Sequence, residues 1–83
     1  MKITIIGAGY VGLVTGACFA DRGHEVVCID IDDSKVAQIN DGVVPFHEPG
    51  LAEVIGRTSG SRLSASTNLH DAVVASDVTV PPV

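Results

Sequence analysis

A cluster of glycines near the start of the chain stands where a β-branched run gives way to an apolar helical pattern: Gly7, Gly9, Gly12 and Gly16. The run Ile3-Thr4-Ile5-Ile6 is typical of a buried strand. The spacing Gly7-Ala8-Gly9-Tyr10-Val11-Gly12 lets a backbone turn tightly, approach a pyrophosphate closely and pack the following helix against the strand. The segment therefore predicts a strand, a phosphate-binding loop and a helix.

The same pattern requires a second strand that ends in an acidic residue, about 20 residues further on. Val26-Val27-Cys28-Ile29 is apolar and is followed at once by Asp30. A carboxylate there accepts hydrogen bonds from the hydroxyls of an adenosine ribose and repels a 2′-phosphate, so Asp30 indicates NAD rather than NADP. The alternative, that Asp30 only caps the next helix, suits Asp32 or Asp33 better.

Two further residues near this motif allow more than one interpretation. Lys35 falls in the first turn of the second predicted helix, where it either reaches the adenosine end of the cofactor or remains a solvated lysine. Gly16 either touches the cofactor or allows close packing of helix on sheet. Packing is the favoured interpretation, because Gly16 lies one turn beyond Gly12 and an interior helical glycine costs about 1 kcal/mol relative to alanine. The glycine loop could also be a turn without a ligand, but the matching strand, helix and acid favour binding.

Strands and helices alternate along the rest of the chain. Apolar periodicity and turn residues predict strands over residues 2–6, 26–29, 62–66 and 77–80, and helices over 11–22, 34–40, 51–55 and 69–75. Asp32 or Asp33 is expected to cap the second helix, and Thr67 or Asn68 the fourth. Residues 43–50 predict an ordered loop, and 56–61 a turn. Crossover helices between apolar strands require parallel pairing, so the predicted fold is α/β, a truncated Rossmann-type three-layer fold with three to four parallel strands.

Composition narrows the class of protein further. The 83 residues allow one domain at most, and 46% hydrophobic against 18% charged residues is too apolar for a disordered tail. No apolar run approaches the roughly 20 residues of a membrane span. The net charge of −5, without a basic stripe, argues against nucleic-acid binding. A strand at the second residue leaves no room for a signal peptide, and the cysteine usage suits a reduced, cytoplasmic setting.

None of the titratable or nucleophilic side chains is predicted to be catalytic or to bind a metal. The three histidines fall in separate turns or helix starts, without carboxylates at metal-ligand spacing: His24, His47 and His70. Cys18 is expected to be buried packing on its helix, and neither it nor Cys28 is expected to act as a nucleophile. Glu48 could face a substrate, but its position in a proline-stiffened loop at the edge of the domain has an adequate structural explanation.

Three segments together have the look of a known family: Gly9-Tyr10-Val11-Gly12, Gly23-His24-Glu25-Val26 and Glu48-Pro49-Gly50-Leu51. Over about residues 1–78 the chain closely resembles the N-terminal part of the UDP-glucose/GDP-mannose 6-dehydrogenases, with the UDP-glucose branch nearer. Hydroxyacyl-CoA or 6-phosphogluconate dehydrogenases share the opening but do not predict the third segment. The resemblance implies NAD contacts from these residues: Gly7, Gly9, Tyr10, Val11, Gly12, Asp30 on the ribose, and Lys35 on the adenosine side.

The resemblance also implies an activity for the whole enzyme. It would oxidise the sugar C6 alcohol of UDP-glucose to the carboxylate of UDP-glucuronate with two NAD, through a cysteine-bound thiohemiacetal and thioester. The full-length enzyme is expected to bind a nucleotide-sugar substrate and to form a homo-oligomer. Residues 1–83 would be a partial NAD-binding domain without the catalytic cysteine, the substrate domain or the dimerising helix. They would be inactive alone, or act only as a dinucleotide-binding module.

One departure from the family's pattern falls at the end of the chain. In the family the fourth strand normally continues into an apolar run that ends in a Gly-Thr-Pro turn against the cofactor. Here Val78-Thr79-Val80 meets Pro81-Pro82-Val83. The cofactor contact of that turn is therefore expected to be missing or replaced.

Overall fold

Four strands and four helices make up the described part of the chain, which in this computed structural model is residues 1–44 and 50–81. The strands are β1 (Lys2–Ile6), β2 (Glu25–Ile29), β3 (Leu63–Ser66) and β4 (Val78–Val80). The helices are α1 (Tyr10–Asp21), α2 (Asp33–Asn40), α3 (Leu51–Thr58) and α4 (Leu69–Ala75). All strand pairings are parallel, in the order β3-β2-β1-β4. The predicted α/β fold with three to four parallel strands is confirmed.

Side chains on β1 alternate between two helical layers. Ile5 faces α1, because its side chain lies beside Gly12 and Gly16 of that helix. Thr4, one residue earlier, faces the other way: its hydroxyl donates to the Ala72 carbonyl of α4 and bonds the Ser76 hydroxyl. Because crossovers between parallel strands are right-handed as a rule, the strand order puts α1 and α2 on one face of the sheet and α4 on the other. Helix α3 packs on α1. The result is the predicted arrangement of three layers.

The core lies mainly between the sheet and the α1 layer. Its largest fully buried side chains include Ile5, Leu13, Ile39, Ile55 and Leu63. Leu13, Gly16, Ala17 and Ala20 form the buried stripe of α1. Val36 and Ile39 pack inward from α2. Asp32 caps α2 and Asn68 caps α4, each accepting backbone N–H bonds through its side chain.

The predicted end of α3 at residue 55 is wrong. The helix continues through Gly56 to Thr58, so the turn begins later than the predicted 56–61 segment. The Thr58 hydroxyl donates to the Val54 carbonyl at 2.8 Å, and the Arg57 guanidinium donates to Asp21 of α1 at 2.7 Å. These bonds hold the last turn in place although glycine disfavours a helix interior.

The predicted burial of Cys18 is also wrong, because this residue is exposed whereas Cys28 is buried. Cys18 lies outside the buried stripe of α1, and the helix is apolar enough on every side that composition does not mark its outer face. The prediction for the loop over residues 43–50, and those for His47, Glu48 and Pro82, concern residues that lie wholly or mostly outside the described ranges.

Candidate functional site

The site lies where the direction of strand progression reverses. From β1 the chain moves outward through β2 to β3, and β4 then returns to the opposite side of β1. Because all four strands are parallel, their carboxyl ends meet at one edge of the sheet. A crevice at such a reversal is where open α/β sheets bind ligands.

The three loop glycines have different surroundings. Gly7 has a φ of 92°, which L side chains rarely adopt, so it makes the tight turn after β1. A Cβ on Gly12 would lie 2.1 Å from the Gly7 carbonyl oxygen, so only glycine lets α1 start this close to the turn. A Cβ on Gly9 would meet nothing within 4 Å in the described chain. The protein itself therefore gives no packing reason for Gly9, which borders open space.

The N-terminus of α1 points into that space. No side chain caps the helix, and its first internal bond runs from the Leu13 N–H to the Gly9 carbonyl at 2.9 Å. The N–H groups of Val11 and Gly12 therefore have no partner within the helix. Uncapped N–H groups and the positive end of the helix dipole favour an anion at this position.

Asp30 joins the end of β2 to the glycine loop. Its Oδ2 accepts a hydrogen bond from the Ala8 N–H at 3.0 Å, and its Oδ1 accepts one from the Asp32 N–H at 3.0 Å. Beside them, the Gly7 N–H donates to the Ile29 carbonyl at 2.7 Å. The pKa of Asp30 is held below its ordinary value mainly by the hydrogen bond from the Asp32 N–H. The Ala8 N–H bond and the Lys35 charge lower it further, whereas partial burial opposes the shift. Asp30 is thus a fixed, ionised carboxylate.

Lys35 lies next to Asp30 in the first turn of α2. Its ammonium Nζ is 3.7 Å from Asp30 Oδ2, and its side chain is 30% exposed against 15% for Asp30. The Asp32 carboxylate accepts the Lys35 backbone N–H at 3.2 Å, which fixes the start of the helix. Lys35 is therefore ion-paired with Asp30 while its side chain remains partly exposed.

The cleft beside the loop has a volume of about 280 Å³ and is bounded by β1, α1 and the end of β4. Tyr10 and Val11, each 52% exposed, form part of its wall. Sequence reasoning did not assign the five other wall residues to the site: Ile5, Ile6, Thr15, Val80 and Pro81. Thr15 follows Val11 by four residues and so shares its helix face, a signal that could have identified it. Val80 and Pro81 reach the cleft only because β4 pairs with β1.

All seven residues predicted to contact the cofactor belong to one continuous arrangement. Gly7, Gly9, Tyr10, Val11 and Gly12 line the cleft, Asp30 is bonded to the loop through Ala8, and Lys35 is paired with Asp30. Gly16 lies apart from it. A Cβ there would be 3.0 Å from Cys28 Sγ and 3.2 Å from Val26 Cγ1, which confirms the predicted role in helix-to-sheet packing.

Three titratable side chains considered in the sequence do not belong to this arrangement: His24, His70 and Cys28. His24 packs edge-on against the Phe19 ring, and His70 is exposed beside Asp71. Burial raises the pKa of the Cys28 thiol to about 12, so it stays protonated. Within residues 1–44 and 50–81, no three His, Cys, Asp or Glu side chains are grouped so that they could hold a metal ion. The same residues include no helix with the length and apolar character needed to span a bilayer.

A parallel sheet with a glycine loop at its point of reversal and a fixed acid at the end of the next strand defines a Rossmann-type nucleotide-binding domain. Residues 1–83 match the sequence profile described as the UDP-glucose/GDP-mannose dehydrogenase family, NAD binding domain. The chain belongs to this family, and the part of the family it represents is the NAD-binding domain.

Individual relatives agree with this assignment. The chain is 52% identical over 79 residues to UDP-glucose 6-dehydrogenase AglM of Haloferax volcanii. The matched segment covers 95% of this chain and 18% of that protein. Its fold matches the crystal structure of a ternary complex of GDP-mannose dehydrogenase from Pseudomonas aeruginosa with a TM-score of 0.95 and 42% identity, over 100% of this chain and 19% of that one. A UDP-glucose dehydrogenase from Pyrobaculum islandicum gives a TM-score of 0.91 at 40% identity, over 99% and 19%. The chain thus spans less than a fifth of these proteins.

Proposed function

We propose that this chain is the cofactor-binding part of a nucleotide-sugar 6-dehydrogenase that oxidises UDP-glucose to UDP-glucuronate with two NAD. The observation that carries the proposal is Gly9, a glycine without a packing reason at the uncapped start of α1, facing the cleft. A pyrophosphate needs this kind of close backbone approach and the N–H groups of a helix start. When bound, NAD supplies the acceptor for the hydride from the sugar.

The residues around Gly9 would divide the work of holding NAD. The loop from Gly7 to Gly12, with Tyr10 and Val11, would bind the pyrophosphate through backbone N–H groups. Asp30 would accept hydrogen bonds from the adenosine ribose, because its fixed, ionised carboxylate keeps acceptor capacity beside its two backbone donors. Lys35 would contact the same end of the cofactor. Val80 and Pro81 also line the cleft, where the family's usual turn would otherwise stand.

The choice of sugar nucleotide rests on likeness alone. Two UDP-glucose 6-dehydrogenases are 52% and 53% identical to the chain, whereas GDP-mannose 6-dehydrogenases of Azotobacter vinelandii and Pseudomonas aeruginosa are 43% and 46% identical. These values support UDP-glucose, with GDP-mannose as the alternative. The whole enzyme would work in the cytoplasm as a homo-oligomer, with a nucleotide sugar as its substrate.

A second candidate function is binding without catalysis. It is favoured by the two cysteines of the chain, since Cys28 is buried with a raised thiol pKa and Cys18 lies on the outer side of α1. Neither is a nucleophile at the cleft, so the thiol chemistry of the family would have to come from elsewhere. In this alternative the chain binds a dinucleotide and catalyses no reaction.

Calorimetric titration with NAD tests the binding proposal. Gly9→Ala places a methyl group in the cleft and is expected to weaken NAD binding about tenfold or more. Gly56→Ala is the matched control, because a Cβ there also meets nothing within 4 Å but lies on α3, away from the cleft. Equal NAD affinity in the two variants, or no NAD binding by the native chain, would contradict the proposal.

Turnover assays separate the enzyme from the binding module. NADH formation would be followed with UDP-glucose and, separately, with GDP-mannose, for this chain and for any longer product of the same gene. The enzyme proposal expects turnover of UDP-glucose by a longer product only. Turnover of GDP-mannose instead of UDP-glucose would identify the chain as part of a GDP-mannose 6-dehydrogenase. If the chain binds NAD and the gene has no longer product, the chain acts as a binding module only.

A further inference from the structure

The carboxylate of Asp30 is held so that it cannot turn away from a neighbouring ligand. One oxygen accepts the Ala8 N–H and the other the Asp32 N–H, each at 3.0 Å. These donors belong to different segments of the chain, the glycine loop and the start of α2. Rotation of the carboxylate would therefore break at least one of the two bonds. Asp30 presents a fixed negative charge at the edge of the site.

Lys35 is the less tightly held half of the ion pair. Its backbone is fixed by the N–H bond to Asp32, but its ammonium lies 3.7 Å from Asp30, which is an ionic contact rather than a short hydrogen bond. The aliphatic stem of lysine is flexible, and the side chain is 30% exposed. The ammonium can therefore turn to another anion nearby while α2 remains in place.

Among the described residues, no other lysine or arginine lies at this edge of the sheet. The chain contains five Lys and Arg residues, and all of them fall within the described ranges. The remaining four lie toward the amino ends of the strands: Lys2, Arg22, Arg57 and Arg62. An extra phosphate on the ribose side of the site would thus find one lysine or arginine, already paired with a carboxylate.

We propose that Lys35 is a latent contact for a ribose 2′-phosphate, and that Asp30 keeps the site selective for NAD by occupying Lys35 as well as by its own charge. The inference rests on the proposed function, because it assumes that the adenosine ribose lies beside Asp30. In the native chain a 2′-phosphate meets a fixed carboxylate whose counter-ion is taken. Without that carboxylate charge, Lys35 is released and binds the phosphate through a charge-assisted hydrogen bond.

Titration of NAD and NADP into four proteins tests this: the native chain, Asp30→Asn, Lys35→Gln and the double variant. Asparagine keeps a carbonyl oxygen for the Ala8 N–H while removing the charge. Asp30→Asn is expected to lower the preference for NAD over NADP about tenfold or more, and Lys35→Gln in that background to restore most of it. Lys35→Gln in the native background is expected to leave NADP binding weak.

An equal ratio of NAD to NADP affinity in Asp30→Asn and in the double variant would overturn the inference. Should Asp30→Asn fail to fold by circular dichroism, Asp30→Ser with and without Lys35→Gln gives the same comparison. Different results contradict the proposed function and this inference. A native chain that binds neither dinucleotide contradicts the proposed function, whereas NAD binding with a ratio indifferent to Lys35 contradicts this inference alone.

Discussion

The Ala8 N–H donates a 3.0 Å hydrogen bond to Oδ2 of Asp30, and this bond fastens the loop after β1 to the end of β2. Asp30 is therefore part of the loop's own support, in addition to the ligand contact proposed for it. A substitution at this position changes the shape of the site as well as its charge. Variants of Asp30 should be checked for stability before any loss of binding is assigned to the ribose.

The bonds to Asp30 make stability depend on pH. Because its pKa is lower in the folded chain than its ordinary value of 3.8, its contribution is complete above that value and is lost as pH falls through the lowered pKa. Urea unfolding at a series of pH values is expected to show this loss in the native chain and a smaller one in Asp30→Asn. Asp33→Asn, an exposed carboxylate of α2, is the control. Parallel loss in the native chain and Asp30→Asn would contradict the assignment.

Substitutions of two loop glycines, Gly12 and Gly9, are expected to differ in their effect on stability. Gly12→Ala forces a Cβ to within 2.1 Å of the Gly7 carbonyl oxygen and should destabilise the fold by about 3 kcal/mol. Gly9→Ala meets no protein atom within 4 Å at a φ of −73°, so it should cost less than about 1 kcal/mol. Urea unfolding measures both. A larger loss of stability in Gly9→Ala than in Gly12→Ala would refute the distinction.

The motif could be predicted from sequence because its parts are local. A strand, three glycines at fixed spacing and an acid at the end of the next strand each follow from nearby residues, and the structure brings them together at one edge of the sheet. The bond from Ala8 could not be predicted, since a backbone N–H carries no signature in the sequence. Val80 and Pro81 were missed because their position depends on the pairing of β4 with β1.

The errors have physical causes of the same kind. Cys18 was expected to be buried because α1 is apolar on every side, whereas only one stripe of it faces the sheet. The end of α3 was predicted too early because Gly56 looks like a helix breaker, whereas the Arg57 contact with Asp21 extends the helix. Both outcomes depend on which element packs against which, which local patterns do not encode.

Gly16 and Cys28 are expected to be energetically coupled. A Cβ on Gly16 would lie 3.0 Å from Cys28 Sγ, so Gly16→Ala should destabilise by about 1 to 2 kcal/mol despite the higher helix propensity of alanine. Cys28→Ala removes the sulfur, and Gly16→Ala should then cost less. A double-mutant cycle by urea unfolding measures this coupling, and additive effects of the two substitutions would show that the contact is not the cause.

The two cysteines are expected to react very differently with thiol reagents. Cys18 is exposed, whereas burial of Cys28 raises its thiol pKa to about 12 and leaves almost no thiolate near neutral pH. A colorimetric disulfide reagent should therefore modify one thiol per native chain and two in urea. Cys18→Ser should abolish the fast reaction. Fast modification of the native Cys18→Ser variant would show that Cys28 is accessible.

Asn40 is expected to protect the open edge of the sheet. Its side-chain amide donates to the Ala65 carbonyl at 3.0 Å and accepts the Ala65 N–H at 2.8 Å, so it takes the place of a neighbouring strand beside β3. Asn40→Ala leaves both groups of Ala65 unpaired and should cost about 1 to 3 kcal/mol. Urea unfolding and light scattering after gel filtration would measure lost stability and edge-to-edge association. Gln38→Ala, on an exposed position of the same helix, is the control, and equal behaviour of the two variants would contradict the protective role.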